Sequence, residues 1–186
     1  MTSPTGWFRR TILAMASLAV LLGWSLPASA ATRLFVVANE YGSIWEIDPV
    51  TGKKIGETTL VPSVPTTHPG LAFDGTYLYY TDENLGVIQA YVPGGALDHT
   101  LPKPGGQTLP GSGLGASKTS VFEVSLDNFI TEIDSTTGTY LNTYTFAGAA
   151  EALTFAGSRN SLFVVVSDST TVKEITTAGV ELTRSS

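Results

Sequence analysis

Residues 70–92, GLAFDGTYLYYTDENLGVIQAYV, decide the fold. Their short apolar runs lack the 3.6-residue spacing of a helix, so they predict extended strands. Parts of the stretch recur in four aligned segments, LFVVANEYGSIWEID from Leu34, LYYTDENLGVIQAYV from Leu78, VFEVSLDNFITEID from Val121 and LFVVVSDSTTVKEI from Leu162. The aromatic residue at the second position recurs at separations of 44, 43 and 41 residues. A period near forty residues indicates a repeat architecture.

Each repeat predicts a sheet of four short strands, which we call a to d in chain order. Another apolar run precedes three of the segments, at Gly70, Gly113 and Ala152, and supplies strand a. The segments supply strands b and c, and turns at residues 48–52 and 134–138 lead into strand d because Asp bonds back to the chain and Gly adopts a positive φ. Strand b is apolar on consecutive residues, so both of its faces should be buried between neighbouring sheets.

The predicted fold is therefore all-β, a β-propeller-like array of about four four-stranded antiparallel blades at approximately 31–61, 70–102, 111–147 and 150–186. The first blade lacks strand a, because Leu34 already belongs to strand b, and fifteen strands are expected. The printed sequence stops within strand d of the fourth repeat. We expect an open or incomplete array, either a fragment of a longer propeller or a unit that associates with itself through its blade edges.

Residues 1–30 predict a secretory signal peptide. Arg9 and Arg10 precede an apolar run, and Ala28-Ser29-Ala30 forms a cleavage site. The run is short for a bilayer span, and no second run that could cross a membrane follows it. Residues 31–186 are therefore expected to be exported to the periplasm or the extracellular space, by the general secretory or the twin-arginine route.

The charge and composition of the chain exclude several function classes. Without the two leader arginines, 8 basic residues face 16 acidic residues, and the formal net charge falls from −6 to −8. Such an acidic chain is not expected to bind nucleic acid or anionic membranes. The sequence contains no cysteine, which excludes disulfides, thiol catalysis and zinc sites built on thiolates.

The stretches GLAFDGTYLYYTDENLGVIQAYV and SIWEIDPVTGKKIGET resemble the blades of bacterial secreted β-propellers, the broad group of YVTN-type, quinoprotein-like and lyase-like repeat proteins. The resemblance implies a propeller fold and does not define a function. Quinoprotein-like blades carry an Asp-x-x-Thr-Gly turn followed by a docking tryptophan. Here Asp48, Thr51 and Gly52 match that turn, but Gly56 stands at the tryptophan position, so the resemblance does not extend to the quinoprotein cofactor.

The b–c turns and the d–a connections should lie on one face of a propeller, where ligands usually bind. The aligned b–c turns carry a set of oxygen-bearing side chains, namely Glu40, Asn84, Asp127 and Asp168, with Asp82 and Glu83 beside Asn84. Carboxylates at Glu40, Asp127 and Asp168 could hold a calcium ion, the one cofactor considered. The alternative is that Asp and Asn here only form turns.

Two functions are compatible with these residues. The first is a non-catalytic propeller-type binding protein that presents its loop face to a protein or glycan, with contact area from the aromatic residues Tyr41, Trp45, Tyr77, Tyr80 and Tyr91. The second is a metal-assisted lyase or hydrolase in which His68, on a long proline-rich connection, acts as general base. A loop histidine without a partner is the alternative for His68. His99, the other histidine, lies on a predicted strand.

Overall fold

A computed structural model describes residues 32–62, 69–103, 111–125, 129–146, 150–166 and 171–182. The chain divides into two units, Met1–Thr32 and Arg33–Ser186, and every strand described below belongs to the second unit. The described residues form fourteen strands and a single 3₁₀ turn, Asn39–Tyr41. None of these residues belongs to a helix that is long and apolar enough to cross a membrane.

The strands form four antiparallel sheets in chain order. The first sheet contains β1 (Leu34–Ala38), β2 (Ser43–Ile47) and β3 (Lys54–Thr59). The second contains β4 (Leu71–Phe73), β5 (Leu78–Asp82), β6 (Val87–Tyr91) and β7 (Leu97–Pro102). The third contains β8 (Gly111–Ala116), β9 (Ser120–Ser125), β10 (Phe129–Asp134) and β11 (Tyr140–Thr145). The fourth contains β12 (Ala150–Ala156), β13 (Ser161–Val166) and β14 (Val172–Thr176).

The predicted fold class is confirmed: the structure is all-β, with four propeller-like blades, and the first blade has no strand a among the described residues. We number the four sheets blades 1 to 4. The fifteenth strand was expected in blade 4, where the described residues contain only an isolated bridge between Ile175 and Glu181. No β-ladder among the described residues joins blade 1 to blade 4.

The hydrogen-bond registers between strands b and c reproduce the alignment of the repeats. The first residue of each aligned segment faces an equivalent residue of strand c, in the pairs Leu34–Ile47, Leu78–Tyr91, Val121–Ile133 and Leu162–Ile175. Successive side chains of a strand point to opposite faces of its sheet. Equivalent residues of strand b therefore point to the same face of the sheet in every blade.

Three core clusters fill the spaces between consecutive blades. Leu78 and Tyr80 of β5 belong to the cluster shared with blade 1, whereas Tyr79 belongs to the cluster shared with blade 3. Phe122 and Val124 of β9 face blade 4. The two-sided burial predicted for strand b is therefore observed in β5 and β9. We call the face of a blade toward the preceding blade its back face, and the face toward the following blade its front face.

Strand β1 does not show the predicted two-sided burial. Its back-face residues Leu34 and Val36 are 45% and 44% exposed, because no sheet of the described chain covers them. Two of the aromatic residues expected at the binding surface are also placed differently. Tyr80 and Tyr91 are fully buried, because they point into the cluster between blades 1 and 2.

The a strands of blades 3 and 4, β8 and β12, are the inner strands of these blades, and they approach so closely that a side chain would not fit between them. A Cβ atom on Gly113 of β8 would lie 2.5 Å from the backbone nitrogen of Leu153 and 2.8 Å from the Cα of Ala152, both in β12. Real Cβ atoms essentially never show contacts below 3.0 Å. The glycine therefore sets the distance between the two inner strands.

Replacing this glycine with alanine should weaken the contact between blades 3 and 4. We expect Gly113→Ala to lower the free energy of unfolding by roughly 1–3 kcal/mol, because the added methyl group must push the two backbones apart. Gly157→Ala is a matched control, since a Cβ atom there would meet only a ring carbon of Phe155 at 3.8 Å. Denaturant unfolding measures both variants, and equal losses would contradict the proposed role of Gly113.

Candidate functional site

Four of the oxygen-bearing residues predicted at the b–c turns belong to the described part of the chain, and they lie at the b–c turns of blades 1 and 2. Glu40 is exposed on the 3₁₀ turn after β1, and Asp82, Glu83 and Asn84 follow one another at the end of β5. The remaining predicted site residues, His68, Asp127 and Asp168, lie outside the described residues. The calcium site at Glu40, Asp127 and Asp168 and the role of His68 as general base therefore stay predictions. In the part of the chain that the structure describes, no three Asp, Glu or His residues form a group that could hold a metal.

Asp82 closes its own turn. Its carboxylate is buried, and Oδ1 accepts the backbone N–H of Leu85 at 3.0 Å. Glu83 beside it is half-buried and Asn84 is exposed. For Asp82 the geometry therefore favours the turn-forming alternative over metal binding, because one carboxylate oxygen already satisfies the backbone of the turn.

A cavity of about 430 Å³ lies between blades 2 and 3, and we call it the blade 2–3 cleft. It lies at the strand ends opposite the b–c turns, because consecutive turns of an antiparallel sheet alternate between its two ends. The residues that line it come from the a–b turns, the c–d turns and the adjoining strand ends of the two blades: Asp74, Thr76, Tyr77, Tyr79, Asp98, His99, Lys118, Ser135 and Thr136. Aromatic surface and hydrogen-bonding groups therefore occur together in this cleft.

The imidazole of His99 bridges blades 2 and 3. Its Nδ1 lies 2.7 Å from Oδ2 of Asp98, and its Nε2 donates to the backbone carbonyl of Ser135 at 3.0 Å, since a carbonyl oxygen can only accept. The ring also meets the ring of Tyr77 edge to face, with centroids 5.4 Å apart. Both nitrogens of His99 are thus engaged with oxygen atoms of the protein, and neither faces a hydroxyl group of the cleft.

Asp74 is also occupied by bonds within its own blade. Its Oδ1 accepts the backbone N–H groups of Thr76 and Tyr77 at 2.6 and 2.7 Å, and its Oδ2 accepts the phenol of Tyr79 at 3.2 Å. Burial raises the pKa of Tyr79, and the negative charge of Asp74 raises it further. The phenol therefore stays protonated at neutral pH and acts as a hydrogen-bond donor.

The cleft groups that remain accessible to solvent are polar. Thr76, Lys118 and Thr136 are exposed, and so is the carboxylate of Asp98. The ring of Tyr77 lies half-buried behind them. This arrangement offers donors, acceptors and an aromatic surface to a ligand, but its described residues contain no nucleophile paired with a base.

Residue spacing did not predict this cleft. It is assembled from turns of two different blades, at the end of the strands opposite the predicted binding face. The available signal was the repeat itself, which brings the a–b and c–d turns of adjacent blades side by side. Asp98 and His99 are the second and third residues of strand d of blade 2, just after a c–d turn, so their position next to the turns of blade 3 follows from blade packing.

A charge pair is buried elsewhere between blades 2 and 3. Nζ of Lys103 lies 3.2 Å from Oε1 of Glu123, and the two side chains are 3% and 5% exposed. Burial raises the pKa of Glu123, and the nearby charge of Lys103 opposes this effect without reversing it. Such a pair is costly to break, because either partner alone would be a buried charge.

Comparisons with known proteins give a fold but no family. No family model matches the chain, and no curated protein matches it. Glutaminyl cyclase from Myxococcus xanthus matches its structure with 15% identity and a TM-score of 0.59, over 77% of this chain and 61% of that protein. A streptogramin B lyase matches with 16% identity and a TM-score of 0.58, over 83% of this chain and 51% of that protein.

Virginiamycin B lyase from Staphylococcus aureus matches with 18% identity and a TM-score of 0.54, over 84% of this chain and 56% of that protein. These structures are propeller-type proteins, which agrees with the arrangement of sheets described above. At such identities the likeness shows the fold alone. The chain spans between about half and three fifths of the length of these structures.

The buried charge pair leads to a prediction about stability. We expect Lys103→Met to lower the free energy of unfolding by about 3–5 kcal/mol at neutral pH, because the carboxylate of Glu123 loses its buried cation. Lys54→Met is the control, because it removes an exposed ion pair with Glu57, which contributes about 0–1 kcal/mol. Denaturant unfolding at neutral pH measures both variants.

The cost of Lys103→Met should depend on pH. In the folded protein the pKa of Glu123 is raised above its ordinary value of 4.5, so its contribution to stability is fully present below that value and is lost as pH rises through the folded pKa. In the wild type the positive charge of Lys103 offsets part of this loss of stability, because it favours the ionised carboxylate of Glu123. Without the lysine, the cost should be largest above the folded pKa and should shrink as the carboxyl group protonates. A cost that is constant over this pH range would contradict the assignment.

Proposed function

We propose that this chain is an exported, non-catalytic binding protein of the propeller type. One observation carries the proposal: Asp74 and His99 of the blade 2–3 cleft are held by hydrogen bonds within the protein, whereas the polar groups of Thr76, Asp98, Lys118 and Thr136 at its rim are accessible. Such a cleft can hold a ligand, and neither the carboxylate of Asp74 nor the imidazole of His99 is free to take a proton from it. Export rests on the signal-peptide pattern of residues 1–30.

A glycan suits the cleft better than the other partner class, a protein. Sugar hydroxyl groups can donate to the carboxylate of Asp98 and accept from Lys118, and the apolar face of a sugar ring can pack on Tyr77. The cavity of about 430 Å³ falls within the usual range for small-ligand sites. A concave site of this size offers little of the broad surface that a protein partner needs.

The glycan proposal is tested by binding. The purified protein is screened on a glycan array, and the strongest oligosaccharide is then titrated by calorimetry. Lys118→Ala and Asp98→Asn should each weaken binding about tenfold or more, because each removes a hydrogen bond to a charged group worth about 1.5–3 kcal/mol. Lys53→Ala, which removes an exposed lysine in a turn of blade 1, should leave the affinity unchanged. An array without binding, or an equal loss in Lys53→Ala, would exclude the cleft as a glycan site.

The second candidate function is a metal-assisted lyase or hydrolase. It is favoured by the fold likeness to two proteins that are lyases by name. In this alternative Glu40, Asp127 and Asp168 hold a calcium ion on the opposite face, and His68 acts as general base near it. The described b–c turns supply two of the four aligned positions, Glu40 and Asn84, and both are exposed.

The calcium site can be tested without knowledge of a substrate. If the three carboxylates share an ion, millimolar calcium should raise the melting temperature, because a ligand that binds only the native state stabilises it. Asp127→Asn should abolish this rise, and Lys53→Ala should preserve it. A melting temperature that calcium leaves unchanged would leave the turn-forming role alone for these residues.

A further inference from the structure

Two apolar sheet faces of the described chain have no neighbouring sheet. One is the back face of blade 1, where Leu34 and Val36 are 45% and 44% exposed. The other is the front face of blade 4, where Val165 and Val172 are 38% and 59% exposed. We call them the terminal back face and the terminal front face.

The equivalent positions inside the array are completely buried. Leu34 corresponds to a residue that is 0% exposed in each of the other blades, at Leu78, Val121 and Leu162. The cross-strand pair Val165–Val172 of blade 4 corresponds to the pair Val124–Ile130 of blade 3, and both residues of the latter pair are 0% exposed. The terminal faces therefore have the composition of blade interfaces.

We propose that the terminal front face of one copy of this chain packs against the terminal back face of a second copy, and that two such contacts close the pair. Each terminal face is one half of the interface that already joins blades 3 and 4, so the contact needs no new mode of packing. A front-to-back contact closes when a twofold axis relates the two copies. The pair would contain eight blades, at the upper end of the usual range for propellers.

A groove on the terminal back face matches the residues that would enter it. It has a volume of about 280 Å³ and is lined by Val36, Val37, Ala38, Glu40, Tyr41 and Trp45. Tyr41 and Trp45 form one wall, with stacked rings whose centroids lie 5.4 Å apart. In the interface between blades 3 and 4, Val124 and Ile130 share a cluster with Val164, and the equivalent of Val164 in blade 1 is Val36. By this equivalence Val165 and Val172 of one copy contact Val36 of the other.

A second copy fits the two faces better than an unrelated protein, because it covers both faces by one contact used twice. Blade 1 has no inner strand among the described residues, so the contact lacks packing such as that between β8 and β12. It should therefore be weaker than the internal interfaces and depend on protein concentration.

Light scattering after size-exclusion chromatography tests the pairing, over a wide range of concentrations of the purified protein. The wild type should have twice the chain mass at high concentration. Val36→Asp and Val165→Asp should each raise the dissociation constant at least about tenfold, because each places a carboxylate in an apolar contact. Both valines are already partly exposed in the single chain, so circular dichroism and melting temperature should change little. Val50→Asp alters a turn valine that is 91% exposed and lies outside both terminal faces, and it should leave the pair intact.

A double variant separates a front-to-back contact from other association. In the closed pair residue 165 of each copy meets residue 36 of the other, so Val36→Asp combined with Val165→Lys places opposite charges together in both contacts. The double variant should therefore pair more tightly than Val36→Asp or Val165→Lys alone. A wild type that stays monomeric at every concentration, single variants that pair as well as the wild type, or a double variant that pairs no better than either single variant would each overturn the proposal.

Discussion

The structure depends on burying both faces of strand b. This strand is apolar on consecutive residues, and consecutive side chains of a strand point in opposite directions, so one blade alone cannot remove them from water. Leu78, Tyr79 and Tyr80 illustrate the constraint, because the first and third face blade 1 while the second faces blade 3. Stacking blades in chain order satisfies every internal strand and leaves one unsatisfied face at each end of the described array.

The same stacking creates the positions where ligands can bind. Blades 2 and 3 pack tightly through their apolar centres, and their turns diverge enough to leave the blade 2–3 cleft. The hydrogen bond from His99 of blade 2 to the carbonyl of Ser135 in blade 3 ties the two walls together. The cleft is therefore a consequence of the blade interface, and its shape depends on how the two sheets pack. A ligand there would contact both blades.

The polar groups between the blades serve two different purposes. Asp74 and His99 are fixed by hydrogen bonds and support the walls of the cleft, while Asp98 and Lys118 at its rim remain accessible. Lys103 and Glu123 form a pair that solvent hardly reaches. A buried pair of this kind contributes little net stability over apolar packing, but it penalises any arrangement of the blades that separates its partners. It can thus help to fix the arrangement of blades 2 and 3.

The sequence by itself determined the all-β repeat, the turns and a first blade without strand a in the described chain, because apolar patterning, glycine and aspartate act within a few residues. The registers of β1 with β2 and of β13 with β14 follow directly from the aligned segments. Only the tertiary structure decided which aromatic residues are buried and where the cleft lies. Tyr80 becomes buried because blade 1 covers it, whereas Val36, at the equivalent position of blade 1, stays exposed because nothing in the described chain covers that face. The hydrogen-bond partner of His99, the carbonyl of Ser135 in blade 3, lies 36 residues further along the chain. No local pattern encodes the distance between two sheets.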